Sequence, residues 1–75
     1  MTADIELDAR GLTCPLPLLR AKKALNAMSS GQVLRVVATD PGSAQDFRVF
    51  AQRAGHALLG LTETAGEYTI VIQKG

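Results

Sequence analysis

Hydrophobic and polar positions alternate at the start of the chain and then change to a helical spacing. Ile5 and Leu7 alternate with acidic neighbours, which is typical of a short half-buried strand ending at Arg10-Gly11. Between Pro15 and Met28 apolar residues recur every three or four positions, which predicts an amphipathic helix that Ser29-Ser30-Gly31 ends. The stripe expected to face the core is Leu18, Ala21, Ala24, Leu25 and Met28.

The remaining pattern predicts a second strand, a second helix and a hairpin. The β-branched run Val33–Ala38 indicates a largely buried strand, and the residues after the turn at 39–42 form a second helical stripe that stops at Gly55. The apolar members of that stripe are Ala44, Phe47, Phe50, Ala51 and Ala54. Residues 56–63 and 67–73 are predicted strands, joined around Thr64-Ala65-Gly66.

The predicted element order is βαβαββ. Two strands linked through a helix should pair in parallel, whereas a hairpin pairs its strands antiparallel, so the four-stranded sheet should be mixed. Two helices are enough to cover one face of such a sheet. We therefore expect an α+β fold, a two-layer α/β sandwich with both helices on one face, formed by residues 1–75 as a single domain.

Composition narrows the possible functions. The 75 residues carry a formal net charge of +1, which gives no global attraction to nucleic acid or to an anionic membrane. The first residues are acidic where a secretory signal would be basic and then apolar, and no apolar run approaches the ~20 residues of a spanning helix. The single cysteine excludes an internal disulfide. We expect a cytoplasmic protein that is not bound to a membrane and is monomeric.

Candidate chemistry lies at Cys14, in the stretch RGLTCPLPLLR. Proline favours the first helical position, so Cys14 or Thr13 should cap the helix, with Pro15 and Pro17 at its first and third positions. The Leu16 N–H would then be the first-turn donor left for the sulfur. This donor, the helix dipole and the positive charge of Arg10 should together lower the pKa of the thiol modestly. Cys14 is therefore interpreted as an exposed, activated thiol.

The chain resembles the TusA-like, or SirA-like, sulfur carriers. The resemblance rests on Cys14-Pro15-Leu16-Pro17, on LDARGL at 7–12 and on GQVLRVVATDP at 31–41. It implies that Cys14 accepts sulfane sulfur as a persulfide, with a cysteine desulfurase or a rhodanese as the donor, and passes it to an acceptor protein. A carrier needs one thiol and no second catalytic group, so no cofactor is expected. The pathway could be tRNA thiolation, cofactor assembly or sulfur oxidation.

A carrier must be recognised through the surface around its thiol. On a helical wheel, Leu16 and Leu19 point away from the core stripe and flank Arg20 and Lys23, within about one turn of Cys14. We expect these four residues to form a docking rim, apolar at its centre and basic at its edge.

The sequence argues against three other kinds of chemistry. A hydrolase needs a base beside the thiol, but the single histidine, His56, falls at a predicted turn between helix and strand. One Cys and one His do not give the spacing of a metal site, so no metal is expected. A carrier that forms a C-terminal thiocarboxylate would end in two glycines, and this chain ends Gln73-Lys74-Gly75.

The alternative from another class is a small nucleic-acid-binding or regulatory interaction module without sulfur chemistry. Its phosphate contacts would be Arg20, Lys22, Lys23 and Arg35. The near-zero net charge and the shortage of aromatic residues argue against it.

Overall fold

The four strands and two helices follow the predicted order. The computed structural model describes residues 3–75. Its strands are β1 (Ile5–Ala9), β2 (Val33–Ala38), β3 (Ala57–Thr64) and β4 (Glu67–Gln73), and its helices are α1 (Leu16–Asn26) and α2 (Ser43–Ala54). The type and order of every element agree with the sequence prediction, and the bounds of β2 and β4 are those predicted.

The sheet is mixed, as expected. Its strand order is β1-β2-β4-β3, with β1 parallel to β2 and the other neighbours antiparallel. Val36 on β2 lies opposite Leu7 on one side and Ile70 on the other. The β3–β4 hairpin turns through Ala65 and Gly66, whose φ angles of 52° and 81° are the positive values that a tight two-residue turn needs. Residues distant in sequence thereby become neighbours in one sheet.

One face of the sheet forms the core with both helices. Because side chains alternate along a strand, Leu34 and Val36 of β2 share a face with Ile70 and Ile72 of β4, and all four are fully buried. Phe47 of α2 is also fully buried against this face. The opposite face carries half-buried side chains, namely Arg35, Val37, Thr69 and Val71. The structure is therefore the predicted two-layer α/β sandwich.

The buried stripe of α1 begins one residue earlier than predicted. Pro17, Ala21 and Leu25 are buried at a spacing of four residues, whereas Leu18 is only half-buried. Proline can occupy this place in the first turn because its missing N–H would have no intrahelical acceptor there. The second proline of the motif is thus a core side chain, which the sequence pattern did not indicate.

The two helices end in different ways. α2 stops at Gly55, as predicted, in a left-handed conformation with φ of 77°. α1 ends before the predicted Ser-Ser-Gly segment. There the Lys74 ammonium donates to the carbonyl oxygens of Leu25 and Met28 over 2.6 and 2.8 Å. A cation bound to the last carbonyls stabilises a helix C-terminus, since these oxygens carry the negative end of the dipole.

The α2 stripe also differs in part from its prediction. Phe47 and Ala51 are buried as expected, but Ala54 is exposed and Ser43 takes its place in the core stripe at the other end of the helix. The Ser43 hydroxyl is buried without a hydrogen-bond partner among residues 3–75. Neither α1 nor α2, the helices within residues 3–75, is long and apolar enough to cross a membrane.

Candidate functional site around Cys14

Cys14 lies at the surface in the loop between β1 and α1. Its side chain is exposed, as expected, and the peptide bond between Cys14 and Pro15 is cis. Pro15, not Cys14, is the N-cap residue, so Leu16 and Pro17 are the first and second residues of the helix. The predicted cap was therefore wrong by one residue. The first helical bond runs from the Leu19 N–H to the Pro15 carbonyl oxygen, over 3.0 Å.

The expected hydrogen bond to the sulfur from the start of α1 is not formed. The Leu16 N–H donates instead to the carbonyl oxygen of Thr13, over 2.9 Å, and closes a turn across the two residues between them. This turn satisfies the donor that the sequence analysis had assigned to Cys14. The start of α1 thus places the thiol without bonding to it.

The direct partner of the thiol comes from the other helix. Cys14 Sγ donates to Asp46 Oδ2 over 2.8 Å, across a separation of 32 residues. This hydrogen bond raises the pKa of Cys14 above its ordinary value, and desolvation and the negative charges of Asp46 and Asp40 act in the same direction. The predicted lowering of the pKa is therefore wrong. A carboxylate that accepts the thiol hydrogen bond favours the neutral thiol. The pKa is thus raised by Asp46, where the α1 dipole was expected to lower it.

Arg10 is bound to acidic side chains at the edge of the sheet. Its Nε donates to Asp8 Oδ1 over 2.9 Å, and its Nη1 lies 3.8 Å from Glu67 Oε2. The carboxylates of Asp8 and Glu67 raise the pKa of Arg10, and hydrogen bonds from the Arg10 side chain and from its backbone N–H lower the pKa of Asp8 to about 2. The Arg10 side chain is thus engaged by Asp8 and Glu67, and the charged groups that shift the pKa of Cys14 are Asp46 and Asp40.

The docking rim lies on one exposed side of α1. Leu16 is 45% exposed and Leu19 is 50% exposed, while Arg20 and Lys23 are exposed. Arg20 and Lys23 also line a shallow depression between α1 and β1. The geometry thus places two leucines and two basic residues on the helix that starts beside the thiol.

Comparison with known proteins identifies the family. The family model described as "Sulfurtransferase TusA" matches residues 5–74. The chain belongs to the TusA family. A sulfur carrier protein TusA from Allochromatium vinosum is 61% identical over 71 residues, covering 95% of this chain and 93% of that protein. The sulfur carrier protein TusA of Pseudomonas entomophila is 44% identical over 71 residues, covering 95% and 89% of the two chains.

A solved structure agrees with the TusA assignment. The crystal structure of a SirA-like protein from Desulfitobacterium hafniense superposes with a TM-score of 0.83 at 33% sequence identity. The alignment covers 95% of this chain and 97% of the other. The predicted family and the predicted α+β sandwich are therefore both confirmed.

The groups invoked by the alternative functions occupy other places in this TusA fold. His56 is half-buried, its Nδ1 accepts a hydrogen bond from the Gly75 N–H over 3.0 Å, and its ring centroid lies 5.5 Å from that of Phe50. Phe47 is buried in the core, and Phe50 and Tyr68 are packed against this core. Residues 3–75 contain no group of three or more His, Cys, Asp or Glu side chains able to hold a metal ion. Phe47 is fully buried, while the rings of Phe50 and Tyr68 are half-buried against the core.

Asp46 is the partner of the thiol that the sequence pattern did not indicate. It lies in the first turn of α2, where an acidic residue is common because it interacts favourably with the helix dipole. Because the helix dipole is enough to explain an acidic residue at this position, the sequence pattern does not indicate that Asp46 also contacts the thiol. Only the packing of α1 beside α2 shows that the carboxylate reaches the thiol.

Proposed function

We propose that the protein is a sulfur carrier in which Cys14 accepts sulfane sulfur as a persulfide and relays it to an acceptor protein. The observation that carries the proposal is the exposed thiol of the Cys-Pro-Leu-Pro motif in a chain of the TusA family. Membership of this family implies a protein that donates sulfur and another that accepts it. A cysteine desulfurase or a rhodanese is the proposed donor.

The chemistry of loading requires only the sulfur of Cys14. Its thiolate attacks the terminal sulfur of a donor persulfide, a new S–S bond forms, and the donor's own S–S bond breaks. The electron pair of the broken bond leaves on the donor cysteine, which takes up a proton equivalent to the one lost by Cys14. One persulfide and one thiol are exchanged for another persulfide and thiol, so the step needs no external oxidant. Transfer to the acceptor repeats the exchange with Cys14 as the leaving group.

The docking rim is the proposed contact surface for the donor. An interface needs an apolar centre that is released from water on binding, and the exposed side chains of Leu16 and Leu19 provide it beside the thiol. Arg20 and Lys23 would guide a partner surface of neutral or acidic character. The rim thereby supplies a surface by which a donor can recognise the carrier.

The test is to incubate the protein with a cysteine desulfurase and cysteine and to follow its intact mass. Wild-type protein should gain sulfur that a thiol reductant removes, whereas Cys14→Ser should gain none because a hydroxyl does not take up sulfane sulfur. The thermal midpoint of the serine variant should match that of the wild type, since the side chain is exposed. Labile sulfur on the serine variant, or none on the wild type with desulfurase and rhodanese alike, would contradict the proposal.

A further inference from the structure

The sulfur of Cys14 lies in a negatively charged environment. The Asp46 carboxylate accepts the thiol hydrogen bond at 2.8 Å, and the Asp40 carboxylate is near enough to contribute a Coulomb effect on the same thiol. Asp40 is fixed in place because its Oδ2 accepts from the Gly42 N–H over 3.0 Å. Two carboxylates, one from α2 and one from the turn before it, thus act on one sulfur atom.

Nearby basic groups do not neutralise this pair directly. Lys22 and Arg53 line the groove between α1 and α2 that Asp46 also lines, and the Lys22 ammonium lies 5.5 Å from the centroid of the Phe50 ring. The ion pairs found among residues 3–75 join Arg10 to Asp8 and Glu67, and Arg35 to Glu6. Asp46 takes part in none of them. The negative charges of Asp46 and Asp40 are therefore the ones that act on the sulfur itself, while the basic rim residues Arg20 and Lys23 lie farther along α1.

We propose that Asp46 is a positioning residue that holds the Cys14 thiol proton in the free carrier and makes the sulfur select donors carrying positive charge beside their reacting sulfur. Since the thiolate is the nucleophile, an acceptor that stabilises the thiol slows reaction with every donor. A cationic donor offsets this effect because it is attracted to the two carboxylates, while an anionic donor is repelled. The proposal rests on the proposed function and names the class of donor for that site.

The charge selectivity can be measured with small disulfides of different charge. Suitable probes are cystamine (cationic), bis(2-hydroxyethyl) disulfide (neutral) and dithiodiglycolate (anionic). In each case the Cys14 thiolate attacks one sulfur, a mixed disulfide forms, and the other half leaves as a thiolate that water protonates. Each variant's rate is divided by the wild-type rate with the same probe at low ionic strength, so differences in the probes' own reactivity cancel.

Asp46→Asn should accelerate the three reactions unequally. The gain should be greatest for the anionic probe, intermediate for the neutral probe and smallest for the cationic one. The anionic and cationic gains should differ by about 30-fold, since one unit charge at ~4 Å is worth ~1 kcal/mol in water and the effect has opposite sign for the two probes, ~2 kcal/mol between them. Salt should reduce this difference because the charges are exposed to solvent. Asp46→Glu keeps the charge, so its rates relative to wild type should be similar for the three probes.

Glu63→Gln is the matched control, because Glu63 is an exposed acid on β3 and its loss changes the net charge by the same amount. Its three relative rates should stay near one. Equal gains with all three probes in Asp46→Asn would overturn the proposal, as would no gain at all. If Asp46→Asn does not fold, Asp40→Asn should show the same order of gains with a smaller spread, and equal gains there would overturn the proposal too.

These measurements separate this proposal from the proposed function. Disulfide exchange reports the electrostatics of Cys14 whether or not the protein carries sulfur, while the desulfurase assay reports sulfur loading alone. Unequal gains without sulfur loading would leave the Asp46 proposal standing and contradict the carrier function. Equal gains with normal sulfur loading would contradict the Asp46 proposal and leave the carrier function standing.

Discussion

Cys14 Sγ and Asp46 Oδ2 are 2.8 Å apart, so the loop that begins α1 is joined to the first turn of α2 through the reactive atom itself. This contact raises the pKa of the Cys14 thiol. The thiol of the free protein should therefore be less reactive than its position at the start of a helix indicates. A carrier that moves between partners gains from this restraint, because a protonated thiol reacts slowly with oxidants and unrelated disulfides.

The first prediction concerns the pH dependence of alkylation. Iodoacetamide reacts with the thiolate, so its rate against pH should give a midpoint above the ~8.5 of a free thiol. Since a raised pKa means less thiolate at neutral pH, wild-type protein should react more slowly at pH 7 than free cysteine. Asp46→Asn should lower the midpoint because the acceptor charge is lost. A wild-type midpoint at or below the free value would contradict the effect of the Asp46 contact.

The second prediction concerns the docking rim. Changing Leu19 to Asp and Lys23 to Glu together should slow persulfide transfer from a desulfurase by about tenfold or more, because an apolar contact and an attractive charge are both lost. The thermal midpoint should change little, since Leu19 is 50% exposed and Lys23 is exposed.

Leu59→Asp is the control for the rim variant, because Leu59 is 39% exposed on β3, at the far edge of the sheet from β1. It should transfer sulfur at the wild-type rate. Equal rates for all three proteins would place docking elsewhere on the surface.

The third prediction concerns Pro17, the buried second proline of the Cys-Pro-Leu-Pro motif. Pro17→Ala should reduce the free energy of unfolding by about 2 kcal/mol, through lost burial and a more flexible unfolded chain. Pro41→Ala, at an exposed position, should lose only the second contribution, about 0.4–1 kcal/mol. Urea unfolding at constant m-value measures both changes. Equal losses would mean that the buried ring of Pro17 contributes nothing to the core.

The fourth prediction concerns Lys74 at the end of α1. Lys74→Met removes the ammonium that binds the Leu25 and Met28 carbonyl oxygens, and should reduce the free energy of unfolding by about 2–3 kcal/mol. Arg48→Met removes an exposed basic side chain from α2 and should cost less than about 0.5 kcal/mol. Similar thermal midpoints for the two variants would show that the Lys74 bonds are not a significant stabiliser.

The local pattern was enough to predict the secondary structure and the family. Val33–Ala38 is a strand because six residues rich in β-branched side chains favour the pleated backbone, and Gly55 ends α2 because its left-handed conformation is easily reached only without a Cβ. The resemblance to the TusA-like family rested on the Cys-Pro-Leu-Pro motif together with the segments at 7–12 and 31–41. These features depend on neighbours within a few residues, which the sequence displays directly.

Contacts between distant residues were decided by the tertiary structure alone. The sequence placed Cys14 at the start of α1 and exposed it, but the acceptor of its thiol proton lies 32 residues away on another helix. Likewise, the carbonyl oxygens of Leu25 and Met28 at the end of α1 are bound by Lys74, which follows the last strand. A side chain's pKa depends on the charges and hydrogen bonds that surround it in space, and a linear pattern does not show which of several acidic residues will be brought within 3 Å. The sequence by itself therefore singled out the Cys14 sulfur as the proposed reacting atom, while the packing of α2 beside α1 determined the hydrogen bond and the charges that act on it.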